Sequence, residues 1–220
     1  MKRLTLSALA LFVVAALAAC DDASADAGLL SAPETTAENR ALAPGDESIT
    51  EIVMVAASAE SDPQFTLLLD AVLYVAATNP ESALVESLFN SDQYTVFAPT
   101  DEAFVNLVTA VAGLLDPDVL AADGPFAAID DYLGEGTVEA VVSYHVTEGR
   151  RAANSVVPAG RSPRSRTIET VLSGATFQVT SGGTIQAVGN TANIVSADIS
   201  ASNGIIHVID AVILPVDLGL

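Results

Sequence analysis

The sequence has no tryptophan, a single cysteine and few basic side chains, and each shortage excludes a class of protein. One cysteine cannot form an internal disulfide or a cysteine-rich zinc or iron–sulfur site. Only 8 lysines and arginines stand against 28 aspartates and glutamates in 220 residues, a formal charge of −20. Because phosphate contacts require clustered basic residues, we expect no nucleic-acid partner. Half of the residues are apolar, which argues against a wholly disordered chain.

The motifs of common catalytic sites are missing as well. No HExxH, CxxC, GxGxxG, Walker or GxSxG pattern occurs. The chain has only two histidines, His145 and His207, too few for a histidine-rich metal site. Its adjacent acidic pairs are explained better as solvated surface than as a calcium site. We therefore expect no catalytic site, no metal and no cofactor.

The first twenty residues have the pattern of a lipoprotein leader. A basic start precedes an apolar run from Leu4 to Ala19, shorter than the ~20 residues that span a bilayer. Leu17-Ala-Ala-Cys20 resembles the lipobox of bacterial lipoproteins, in which the cysteine is lipidated and becomes the mature N-terminus. We expect residues 1–19 to be a signal peptide and Cys20 to anchor the protein to a bacterial membrane, in the periplasm or at the cell surface. An uncleaved anchor helix with a buried cysteine is the alternative.

A polar, acidic segment without aromatic residues follows the leader. This composition buries too little apolar surface to offset the entropy lost on ordering, so we expect residues 20–47 to be a flexible tether. A short helix that packs on the folded unit is the alternative. We expect that unit to span residues 48–216, with residues 217–220 as a C-terminal tail.

Helical patterns dominate the first half of the folded unit, and strand patterns dominate the second. Ser48-x-x-Glu51 has the form of a capping box. Tyr94–Ala98 is rich in strand-forming residues and precedes a helix that Thr100 should cap. After Gly149, alternation of apolar and polar residues replaces the helical period. Helices followed by strands indicate an α+β domain rather than alternating βαβ units.

Three stretches together resemble the fasciclin domain. The run from Tyr94 to Phe104, YTVFAPTDEAF, resembles the family's first signature block. Tyr144-His145 resembles its tyrosine–histidine motif, and the run from Asp198 to Pro215 resembles its second block. The resemblance covers about residues 49–216. It implies a single α+β domain, a β-wedge or sandwich of about seven strands with helices packed around it.

Most residues of these blocks also have a structural interpretation. Apolar patterning accounts for the majority of them, and a buried neutral histidine commonly bonds a backbone or carboxylate partner. We therefore favour the interpretation that the blocks specify the fold over direct ligand contact. The residues that we assign to this role are Thr100, Asp101, Phe104, Asn203, Gly204 and His207.

Two groups of residues are candidates for contact with a partner. In animal members of the family, a Tyr-His motif and an Asp-Ile pair have been linked to integrin binding, and Tyr144-His145 and Asp198-Ile199 match them here. A second group is an arginine cluster that could bind carboxylates or sulfates, with a solvated loop as the alternative. It consists of Arg150, Arg151, Arg161, Arg164 and Arg166.

These features predict a non-catalytic, lipid-anchored, extracytoplasmic adhesion module that contacts an envelope or extracellular protein or glycan. The strong negative charge should keep the free protein monomeric. A small-molecule or polysaccharide binding protein is the first alternative, and it requires an apolar pocket with convergent polar groups. An enzyme is the second, and it requires His145 or His207 in an open cleft beside a carboxylate or hydroxyl.

Overall fold

The structure is a computed structural model that describes residues 45–60, 63–89, 92–111, 117–160 and 165–219. The leader, Cys20, most of the expected tether, Arg161 and Arg164 lie outside the described residues. Among the residues that are described, no helix combines the length and the hydrophobicity that crossing a bilayer requires.

The helices lie mainly in the first half of the domain, as predicted. The capping box at the first helix is confirmed, because the Ser48 hydroxyl accepts the Glu51 N–H at 3.3 Å and the Glu51 carboxylate accepts the Ser48 N–H at 2.7 Å. The fifth helix is kinked at Gly124, where φ is +84°. The helices are α1 Ile49–Ala57, α2 Thr66–Thr78, α3 Ala83–Phe89, α4 Asp101–Val111, α5 Pro117–Leu133, α6 Thr137–Tyr144 and α7 Ala153–Val156.

The described strands form one sheet of seven in the order β2-β1-β7-β6-β5-β4-β3. β1 and β7 are parallel, and the other neighbours are antiparallel. The predicted α+β domain of about seven strands is therefore confirmed. The strands are β1 Tyr94–Pro99, β2 Val146–Glu148, β3 Ser165–Glu169, β4 Thr176–Thr180, β5 Thr184–Gln186, β6 Thr191–Ala201 and β7 Gly204–Ile209.

The sheet folds back on itself, so that its two edge strands meet. β6 pairs with β7 through two register shifts, and such bulges bend and twist a strand. The chain just after β3 then reaches β2, where the Val171 N–H donates to the Val146 carbonyl at 2.8 Å. This closure encloses one face of the sheet and leaves the other for the helices.

Two apolar cores result from this arrangement, and β1 contributes to both. Val96 and Ala98 face the core that the helices cover, whereas Phe97 faces the core inside the folded sheet. There the Phe97 ring meets the Phe177 ring edge-on, with centroids 5.0 Å apart. Alternate side chains of a strand point to opposite faces, so a strand buried on both faces joins the two cores.

The start of β7 passes so close to neighbouring backbone that only glycine fits there. A Cβ on Gly204 would overlap the Tyr94 carbonyl oxygen and lie 2.7 Å from Cδ1 of Ile49. We predict that Gly204→Ala lowers the free energy of unfolding by about 2–4 kcal/mol, because rigid backbone must move to admit a methyl group. Urea unfolding measures this change.

Gly182→Ala is the matched control for this substitution. A Cβ on Gly182 would have the Thr180 hydroxyl at 3.8 Å as its nearest neighbour, which is an ordinary contact. We expect this variant to unfold close to the wild type. Equal stability of the Gly204→Ala and Gly182→Ala variants would contradict the close approach of β7 to β1.

Candidate interaction site

The Tyr144-His145 motif lies at the end of α6, inside the protein. The Tyr144 hydroxyl donates to the Thr176 carbonyl at 2.7 Å, and its ring packs edge-on against Phe177 with centroids 5.8 Å apart. Burial raises the pKa of the Tyr144 hydroxyl above its usual value. The side chain is fully buried and joins α6 to the folded sheet.

His145 connects α6 to the segment that follows β7. Its Nδ1 lies 2.7 Å from the Val141 carbonyl, and its Nε2 accepts the Ile213 N–H at 3.0 Å. A ring nitrogen that accepts an N–H carries no proton, so the bonds fix the neutral tautomer with the proton on Nδ1. The side chain is only 3% exposed, and burial lowers its pKa to about 4.

The second candidate pair, Asp198-Ile199, lies in the irregular part of β6. Asp198 has a φ of +65°, its backbone N–H donates to His207 Nδ1 at 3.3 Å, and its Oδ1 accepts the Ala153 N–H at 2.7 Å. His207 Nε2 in turn donates to the Arg151 carbonyl at 2.9 Å. Burial lowers the pKa of His207, while the Arg151 carbonyl and the Asp198 charge oppose the shift. Ile199 is partly buried against the helical core.

The first signature block holds the N-termini of two helices. The Thr100 hydroxyl accepts the Ala103 N–H at 3.3 Å and so caps α4. Asp101 reaches to another helix, where its carboxylate accepts the Thr66 N–H at 3.2 Å and the Leu67 N–H at 2.9 Å. Asp101 thus lies in the first turn of α4 and also caps α2.

The remaining fold-associated residues also bridge separate elements. The Asn203 side-chain oxygen accepts the Ile49 N–H at 2.8 Å, which attaches α1 to the β6–β7 turn. The Phe104 ring packs edge-on against Phe126 of α5, with centroids 6.3 Å apart. Tyr144 and His145 are both buried, and direct contact between either side chain and a partner stays a prediction.

The described arginines of the cluster bond three different parts of the fold. The Arg150 guanidinium donates to the carbonyls of Ala201 at 2.7 Å and Gly204 at 2.6 Å, so this side chain closes the β6–β7 turn. Arg151 Nε donates to the Glu148 carbonyl at 3.0 Å, and Arg166 donates to carbonyls of α7. Arg150 is thus held at the β6–β7 turn, and contact of the arginine cluster with a partner stays a prediction.

The structure does not favour the two alternatives. Both histidines are buried and bonded, at 3% and 0% exposure, so neither reaches an open cleft as the enzyme alternative requires. The apolar hollows in the described part of the chain hold about 40 Å³ each, whereas ligand pockets typically measure roughly 300–1,000 Å³. A cleft of about 700 Å³ lies between α2, α5 and α6, and it is polar rather than apolar, with four acidic residues in its lining beside Tyr74, Thr78 and Asn79. Within the described ranges, no three histidine, cysteine or acidic residues are grouped to hold a metal.

The profile of the Fasciclin domain matches residues 64–215. The chain belongs to the fasciclin domain family. It is 31% identical to the immunogenic protein MPB70 of Mycobacterium bovis, over 92% of this chain and 91% of that protein.

The chain spans less than two thirds of the length of two further matches. The cell surface glycolipoprotein MPB83 of Mycobacterium bovis is 27% identical, over 73% of this chain and 60% of its own. A solved FAS1 domain pair from the insect cell adhesion molecule fasciclin I is 18% identical, with a TM-score of 0.41, over 67% of this chain and 45% of that chain.

We predict that His145 makes the fasciclin domain less stable in mild acid. Its pKa is about 4 in the folded protein against roughly 6.5 when unfolded, so the unfolded chain binds more protons between these values. The contribution of neutral His145 to the free energy of unfolding is complete above pH 6.5. It falls by roughly 3 kcal/mol as the pH falls to 4. Urea unfolding between pH 4 and 7 measures it.

A His145→Gln variant is the control, because the carboxylates that also titrate are common to both proteins. We expect the variant to be less stable at pH 7 but to lose less stability between pH 6.5 and 4 than the wild type does. An NMR titration in which the His145 imidazole protonates near its ordinary pKa would contradict the burial-induced shift.

Proposed function

We propose that this fasciclin-domain protein is a non-catalytic adhesion or interaction module, held outside the cytoplasm by a lipid on Cys20. One observation carries the proposal. Both histidines, the groups best suited to chemistry near neutral pH, are buried and bonded to other elements of the fold. Because these histidines bond groups within the fold, exposed residues of the domain would bind the partner.

The leader and a relative's name support the extracytoplasmic location. The sequence carries a single cysteine, and it occupies the position that a lipobox requires, directly after Leu17-Ala-Ala. The relative MPB83 is named a cell surface glycolipoprotein. A lipid on Cys20 would hold the protein at a membrane without a spanning helix. A coil of about 27 residues, the length of the expected tether, has an r.m.s. reach of roughly 30 Å, which lifts the domain clear of the lipid headgroups.

The charge of the chain restricts the partner. A formal charge of −20 repels other polyanions at long range, and it attracts basic surfaces. An envelope or extracellular protein with a basic surface therefore fits better than an acidic glycan. Among the candidate contact residues, the charged ones that are described are each partly exposed, namely Arg150, Arg151, Arg166 and Asp198.

We predict that Cys20→Ala releases the protein from the membrane fraction, because the substitution removes the only thiol that can be acylated. Cells that express this variant should attach to surfaces and aggregate as poorly as cells without the protein. Membrane fractionation and an attachment assay measure the two effects. Ser24→Ala, four residues beyond the lipidation site, is the matched control and should behave like the wild type.

The two readouts test separate parts of the proposal. Unchanged membrane fractionation of Cys20→Ala would refute the lipid anchor. Wild-type attachment and aggregation in cells without the protein would refute the adhesion function.

A further inference from the structure

Helices α1 and α2 border a shallow apolar groove at the protein surface. Thr50 and Met54 of α1 and Leu69 and Leu73 of α2 line its sides, and the chain around His145 lies at its base. The hollow at its centre holds about 40 Å³, room for a few water molecules or the end of one aliphatic side chain. This is the form of a pocket that accepts a single anchoring residue.

The groove exposes two large apolar side chains to solvent. Met54 is 42% exposed and Leu73 is 48% exposed, although both are large apolar residues. Leu69 and Leu73 lie four residues apart and therefore on the same face of α2. An apolar stripe between two helices matches the surface that receives the apolar face of an amphipathic helix.

The described helices that line the groove carry charges of one sign only. Exposed acidic residues lie on the three neighbouring helices, namely Glu51 on α1, Asp70 on α2 and Glu86 on α3. The sequence contains no lysine or arginine between Arg40 and Arg150, so α1 to α6 carry only acidic charges. A partner with basic residues beside its apolar face would complement this surface.

We infer that this α1–α2 groove docks a basic amphipathic helix of another extracytoplasmic protein. Its apolar residues fill the groove between Met54 and Leu73, and its lysines or arginines face the acidic helices. The inference rests on the proposed function and specifies the class of partner. A second copy of this chain fits the groove less well, because it also carries a formal charge of −20 and would be repelled. An uncharged apolar molecule would gain no electrostatic attraction from the acidic helices.

Three synthetic peptides of about 14 residues test the inference, a length at which an amphipathic helix is marginal alone and forms on binding. The first has leucines at helical positions i, i+3, i+4 and i+7 and lysines elsewhere. The second has the same composition with the leucines spread around the helix. The third keeps the leucine pattern but replaces lysine with glutamate. Fluorescence anisotropy measures their binding to the full chain in nanodiscs of zwitterionic lipid, with empty nanodiscs as the reference.

We expect the patterned lysine peptide to bind at least about tenfold more tightly than the other two. Its affinity should fall as salt rises from about 50 to about 500 mM, because salt screens the acidic surroundings. The double variant Met54→Gln/Leu73→Gln should weaken binding about tenfold, since both side chains are exposed and contribute to the groove rather than to the core. Val55→Gln, on the same helix and 62% exposed but outside the groove, is the matched control and should bind like the wild type.

Several results would overturn the inference. The first is that the glutamate peptide or the scrambled peptide binds as tightly as the patterned lysine peptide. The second is that the double variant binds the lysine peptide as tightly as the Val55→Gln control does. The third is that the neutral dye Nile red displaces the lysine peptide. A wild-type dimer that the double variant abolishes would assign the groove to a second copy instead. If peptide binding fails while cells without the protein attach poorly, only the docking inference falls. If the peptide binds but those cells attach normally, the proposed function falls.

Discussion

The parallel pairing of β1 and β7 is the constraint on which the rest of the structure depends. It joins Tyr94–Pro99 to Gly204–Ile209 over six residues and so brings the two signature blocks side by side. Both strands are buried on both faces, as is typical of parallel strands at the centre of a sheet. Phe97 and His207 lie opposite each other, with ring centroids 5.4 Å apart. The helical core and the core inside the folded sheet therefore share these two strands as a common wall.

Polar residues of the signature blocks attach further elements to this pair. Asp101 holds α2, Asn203 holds α1, His145 holds the segment after β7, and Asp198 holds α7. A buried polar group that loses its partner destabilises a protein by about 1–3 kcal/mol, so these connections constrain residue identity strongly. The contacts of these residues agree with the interpretation that the blocks specify the fold.

The features predicted correctly from the sequence are those encoded locally. The capping box at Ser48, the strand that starts at Tyr94 and the alternation after Gly149 depend on neighbours within a few residues. Contacts between distant segments could not be predicted in this way. Asp101 caps a helix 35 residues earlier, and Arg150 turns inward because the chain returns 51 residues later to present the Ala201 carbonyl. The arginines are close in sequence, but tertiary structure decides which of them face outward.

Native-state hydrogen exchange tests the central role of the β1–β7 pair most directly. The account predicts that the amides of both strands exchange only through global unfolding, with an opening free energy equal to that from denaturant unfolding. The amides of α1 and α7 should exchange through smaller, local openings, because both helices lie outside the pair, where Asn203 of the β6–β7 turn bonds α1 and Asp198 of β6 bonds α7. Exchange of the β1 and β7 amides through local openings, while the outer helices stay protected, would contradict the account.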